Sequence, residues 1–205
     1  MRALIPSLFA ISMVSTTAVA APFRHDPGFF FRGALGVGFS GASLDDSQET
    51  TFSGAGGLVS LALGATVAPN FALYADLFGF SMLEPTVSQN GVEAGKADDT
   101  TATLAAIGLG ASYYIMPLNL YLAGSIGTGQ ATIETRARVG PVEVVLNEDS
   151  EPGLAVSLMV GKEWWVSRKW GLGIAGQAIF GRVETDGGTE LGLLGFGVLF
   201  SATMN

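Results

Sequence analysis

Seven polar side chains fall inside otherwise apolar stretches of this sequence: Arg32, Tyr74, Asp76, Tyr114, Tyr121, Glu163 and Gln177. They offer a guanidinium, two carboxylates, three phenols and an amide. A charge held away from water needs a partner. Arg32 is therefore expected to pair with Glu163, or with Asp76, with the tyrosines completing the network. Such a network either fills an interior or lines a gated polar path for ions or small solutes. Other constellations carry less. Gly36-Val37-Gly38-Phe39-Ser40-Gly41 has the glycine spacing of a dinucleotide-binding loop, but that loop must open a helix, and no helical periodicity follows. His25 is the sole histidine and precedes the first patterned stretch, where a free tail is expected. A Ser-His-Asp triad and a histidine-rich metal site are accordingly not expected, and no cofactor is.

The elements that must position these residues begin after an export signal. Met1-Arg2 is followed by an apolar run from Leu4 to Val14 and by Ala18-Val19-Ala20. This is the pattern of a cleavable signal peptide, residues 1–21, cut after Ala20 or Ala21. A tail, residues 22–28, follows. Residues 29–205 then form one domain. The chain has no cysteine, so disulfides do not hold this exported protein together. It is 48% hydrophobic and only 14% charged, yet no later apolar run is long enough for a transmembrane helix. Helices and closed β-barrels are the two structures that satisfy every backbone polar group in lipid. The remaining membrane solution is a barrel.

Period-two alternation supports it directly. Eight segments, near 29–40, 57–67, 71–82, 103–114, 120–133, 154–166, 170–182 and 190–202, each place large apolar residues on one parity and small or polar ones on the other. In the first, Phe29, Phe31, Leu35, Val37 and Phe39 alternate with Arg32, Ala34, Gly36, Gly38 and Ser40. Short turns around Pro69-Asn70, Pro117 and Ser167-Arg168-Lys169 alternate with polar loops near 41–56, 84–102, 134–153 and 184–189. The fold expected is all-β: an eight-stranded antiparallel up-and-down transmembrane barrel, with both termini at the short-turn end.

Charge follows the same division. Of eighteen acidic residues, all but Asp26, Asp76 and Glu163 lie in or beside the long loops. Solvation explains them, with loose binding of divalent cations as the functional alternative. No basic stripe for nucleic acid is present. Phe29, Phe31, Phe71, Tyr113, Trp164, Trp170 and Phe200 share the large-apolar parity and read as an aromatic girdle at the membrane interface near the short-turn end. Phe39 and Phe180 suggest a weaker second belt, and Lys162 a snorkelling lysine. A water-soluble barrel would reverse the two faces.

The phrases Phe31-Arg32-Gly33-Ala34-Leu35-Gly36-Val37-Gly38 and Tyr113-Tyr114-Ile115-Met116-Pro117-Leu118-Asn119-Leu120-Tyr121 resemble the strand and turn language of the small bacterial outer-membrane β-barrels of OmpA, OmpX and OmpW type. Gly195, Val198 and Phe200, in Gly195-Phe196-Gly197-Val198-Leu199-Phe200, resemble the signal read by the barrel-assembly machinery. Two departures are Leu193, at a position usually polar, and the five residues beyond Phe200. The resemblance implies the outer membrane of a Gram-negative cell, periplasmic termini, and contacts with outer-membrane lipids and lipopolysaccharide, as a monomer. Barrel enzymes place their histidine in the outer half, whereas His25 lies at the other end, so no enzyme is expected. The function expected is a structural or surface-interaction barrel whose lumen is plugged by the internal polar network. The alternative, which OmpW-type proteins suggest, is passive transport of small or hydrophobic molecules.

Overall fold

The computed structural model describes residues 25–44, 50–139, 142–185 and 187–205. The expected signal peptide and its cleavage site lie outside the described residues. Eleven strands follow in chain order: β1 (Gly28–Leu44), β2 (Thr50–Ala68), β3 (Phe71–Leu83), β4 (Thr86–Gln89), β5 (Val92–Lys96), β6 (Thr100–Ile115), β7 (Leu120–Val139), β8 (Val142–Asp149), β9 (Glu151–Trp165), β10 (Trp170–Glu184) and β11 (Glu190–Met204). Eight of them close a ring in which each strand pairs antiparallel with its neighbours: β1, β2, β3, β6, β7, β9, β10, β11 and back to β1. The up-and-down barrel expected from the alternation is present.

Following register partners once around the wall, Gly33 leads through Leu61, Leu77, Ile107, Thr128, Leu154, Arg182 and Gly192 to Ser43. The walk starts and ends on β1, ten positions apart. That stagger tilts the strands and fixes the bore, which in eight-stranded barrels is just wide enough to be filled by side chains.

The two parities occupy opposite environments. Outward, Val37 is 74% and Leu109 73% exposed; inward, Leu58 and Arg32 are each 1%. A surface of exposed leucine, valine and phenylalanine around the wall is disfavoured in water and favoured in hydrocarbon. Inside, narrowness selects glycine where rings must fit. A Cβ at Gly161 would run into the Tyr121 ring, and one at Gly110 into the Tyr74 ring.

The short turns have local causes. Asn70 and Asn119 adopt left-handed conformations, φ 65° and 50°, which asparagine tolerates better than most residues. Ser167 Oγ accepts from the backbone N–H groups of Lys169 (3.3 Å) and Trp170 (3.1 Å), closing the third turn.

The long connections differ from expectation. β1 and β2 continue to Leu44 and from Thr50, and a β4–β5 hairpin pairs with β2 where a polar loop was expected. β7 runs on to Val139 and pairs with β8. Beyond the membrane wall both faces of a strand meet water, so no apolar alternation marks it. Backbone pairing and residues such as Thr100, Val144 and Val145 suffice.

Candidate functional site in the barrel interior

The inward side chains divide the lumen into two layers. Toward the loops it is apolar. Leu58, Phe80, Met82, Leu104, Ile179, Val183 and Leu199 are all buried there, in a hydrophobic cluster that continues to Phe30, Tyr74, Tyr114 and Tyr121 at the turn side. Leu193, at the position where a polar residue was expected, is buried in the same cluster. Toward the short turns the interior holds Arg32, Asp76 and Glu163, each at most 3% exposed, with Tyr74, Tyr114, Tyr121 and Gln177.

Arg32 forms neither of the expected ion pairs. No described carboxylate lies within ion-pairing distance of it. Its Nη1 donates to Ser112 Oγ (2.8 Å) and its Nη2 to Tyr74 Oη (3.1 Å). The guanidinium carbon lies 5.0 Å from the Tyr121 ring centre, 5.2 Å from Tyr74 and 5.9 Å from Phe30. Aromatic faces are negative, and a desolvated cation over one gains about 2 kcal/mol. Three rings and two hydroxyls thus replace the carboxylate. Tyr74 Oη also accepts from Ser112 Oγ (3.1 Å) and donates to the Ala111 carbonyl (3.0 Å), which fixes its orientation.

The carboxylates have partners of their own. Ser60 and Ser125 donate to Asp76, at 3.0 and 2.6 Å, from β2 and β7. Thr203 Oγ1 donates to Glu163 Oε1 (2.5 Å). Gln177 Nε2 donates to Ser157 Oγ (2.9 Å). Tyr121 Oη lies 3.4 Å from Met159 Sδ and 3.5 Å from Ser201 Oγ. The expected polar residues therefore do occupy one end of the lumen, but as separate clusters. Neutral hydroxyls from Ser60, Ser112, Ser125 and Thr203 do most of the satisfying. Their inward parity was visible in the sequence, but the cross-barrel distances that select them depend on the stagger.

His25 corrects the expectation of a free tail. It is 2% exposed. Its N–H donates to Asn70 Oδ1 (3.2 Å), and its carbonyl accepts from the Asn70 N–H (2.9 Å). The imidazole lies 3.7 Å from the Tyr114 ring and 4.9 Å from Trp165, centre to centre. Its Nε2 is 4.0 Å from Glu163 Oε2. Burial pushes its pKa down to about 4, with the Asn205 side chain acting in the opposite sense. No residue spacing announces this contact, because the segment before β1 has no periodic pattern.

The girdle residues take the expected outward parity. Phe29, Tyr113, Trp164, Trp170 and Phe200 are exposed, and Phe31 and Phe71 are half-buried. Phe200 stands opposite Leu35 and Ile174, farther up the wall than the others. The residues after it continue β11 to Met204, opposite Phe31 and Trp170, so the chain's extension past Phe200 is strand. Lys162 Nζ donates to the Leu118 carbonyl (2.7 Å) beside the Trp164 ring. Val198 also faces out, whereas Gly195 faces in, beneath the Phe80 ring.

Several cavities open on the wall and rim. One of about 590 Å³ opens over Gly176, between Leu158, Val160 and Phe196; another of about 440 Å³ lies over Gly57 and Gly79. A rim hollow involves Asn147, Glu148 and Asp149. No group of histidines and carboxylates that could hold a metal occurs among the described residues.

No family model matches the chain, and no curated protein matches it. Solved structures do. The outer membrane protein OprG from Pseudomonas aeruginosa is 14% identical, covering 88% of this chain and 98% of that one, TM-score 0.47. Neisserial surface protein A is 15% identical over 85% of this chain and 96% of that one, TM-score 0.44. The outer membrane protease OmpT from Escherichia coli is 9% identical over 93% of this chain and 99% of that one, TM-score 0.46.

Proposed function

We propose that the chain is an integral outer-membrane barrel with a structural or surface-interaction role, its lumen closed and its loop-end strands presented to the outside. The observation that supports this reading is the burial of two successive layers of lumen side chains. The polar layer around Arg32 and the apolar layer from Leu58 to Leu199 are each composed of side chains almost entirely removed from solvent. Either alone would obstruct a bore this narrow. The short-turn end, with its girdle, Lys162 and both ends of the described chain, faces the periplasm. The acidic strands and loops at the other end meet the exterior. Outer-membrane lipid and lipopolysaccharide surround the wall of a monomer, and the assembly machinery reads the last strand.

Passive transport would need a continuous path past both layers, whose side chains are buried. His25, the only histidine, packs tilted against the Tyr114 and Trp165 rings, which favours a structural part for it over a catalytic one. Planar-bilayer recordings test the reading. Wild type and Glu163→Gln are both expected to give no conductance steps. Stable steps from the wild type would replace the closed barrel with a pore.

A further inference from the structure

We propose that residues 25–27 form a strap over the short-turn mouth that is seated by neutral His25 and released by acid.

The strap is held from several sides. Asn70, in the β2–β3 turn, binds both backbone groups of His25. Asn205, after β11, donates from Nδ2 to the Asp26 carbonyl (3.2 Å), the Phe29 carbonyl (3.0 Å) and Thr66 Oγ1 (2.8 Å). Its own N–H donates to the Lys169 carbonyl (3.0 Å). One asparagine thus ties the strap, the start of β1, the end of β2 and the β9–β10 turn at the seam where the first and last strands meet.

The seat suits a neutral ring. The titratable groups facing the imidazole are Tyr114 on β6 and Glu163 on β9; Trp165 is the other ring in contact. Arg32 on β1 lies behind them and acts electrostatically on both. His25 Nδ1, Tyr114 Oη and Glu163 Oε2 are buried without a hydrogen-bond partner. Glu163 Oε1 is already engaged by Thr203, and Oε2 stands at the 4.0 Å limit of an ion pair. A proton placed on the ring would create a second buried cation near Arg32, with Glu163 Oε2 at 4.0 Å too distant to accept a hydrogen bond from it, and the desolvation of the buried ring opposes that charge. Leaving the seat returns that charge to water.

The sign follows from linkage. A free histidine titrates near 6.5, and in the seat His25 titrates at about 4. Seating is at full strength above 6.5 and weakens as pH falls from 6.5 toward 4. Between pH 7.5 and 4.5 the strap is expected to loosen by roughly 70-fold.

Hydrogen exchange on the full chain in detergent micelles, corrected for the intrinsic pH dependence of exchange, reads this directly. The reporter is the Asn70 amide, whose acceptor is the His25 carbonyl; the Leu109 amide, in mid-barrel, is the reference. Protection at Asn70 should fall roughly 70-fold between pH 7.5 and 4.5 while Leu109 holds. His25→Phe keeps an aromatic ring and removes the titration, so its protection should be flat with pH. An NMR titration of the wild-type imidazole should give a value near 4. The proposal is overturned by flat or rising protection in the wild type, by an equal fall in His25→Phe, or by an imidazole that titrates at 6.5 or above.

Discussion

The two layers of the lumen fill the same bore with opposite chemistry. The loop-side layer is closed by leucine, methionine, isoleucine and phenylalanine packed as in a protein core. The turn-side layer buries a cation and two carboxylates, each engaged by local hydroxyls or rings, with Arg32 Nε and Glu163 Oε2 left without a hydrogen-bond partner. Apolar packing tolerates small shape changes and loses free energy in proportion to the contact removed. A hydrogen-bonded layer is intolerant of a missing partner, because the survivor stays buried. The contrast is between two ways of filling one bore: apolar contact toward the loops, and hydrogen bonds between distant strands toward the turns.

Five substitutions probe the two layers by urea unfolding in micelles. The largest effect is expected for Gly161→Val. It drives a branched side chain into the Tyr121 ring and should cost upwards of about 3 kcal/mol or prevent folding. A cost under 1 kcal/mol would mean that Tyr121 is not held in place. Leu58→Ala removes a side chain from the apolar layer and should cost about 2–5 kcal/mol. Ser125→Ala takes away one of the two hydroxyls on Asp76 and should cost about 1–3 kcal/mol. Asp76→Asn should then restore part of that loss, and a lack of coupling between the two would separate Ser125 from Asp76. Arg32→Met is expected to have the smallest effect, within about 1 kcal/mol either way, since a well-packed apolar replacement for a buried charge is often neutral. A loss above 3 kcal/mol would show that the aromatic cradle depends on the charge itself.

The barrel was largely legible in the sequence because lipid outside and a narrow lumen inside impose opposite demands on alternate residues. Phe29 to Ser40 displays both in twelve positions. That pressure ends where the wall ends, so the stretches that form β4, β5 and β8 carry the pattern of polar loops. The polar lumen residues were legible as a set for the same reason. Their pairing was not. Arg32 and Ser112 are 80 positions apart, and only the stagger of the closed ring decides that Ser112, not Glu163, receives the guanidinium. The seat of His25 is invisible in the sequence because a single contact on an aperiodic segment leaves no repeat to detect.

Single-channel recording of layer variants tests the central claim, that two closures stand in series. Tyr74→Ala/Tyr121→Ala opens space in the polar layer, and Phe80→Ala/Leu104→Ala in the apolar one. Heat-modifiable mobility on a gel checks that each variant still forms the barrel. The expected result is silence from the wild type and from either pair alone, with conductance steps only when all four substitutions are combined. Steps from the wild type, or from either pair alone, would contradict it.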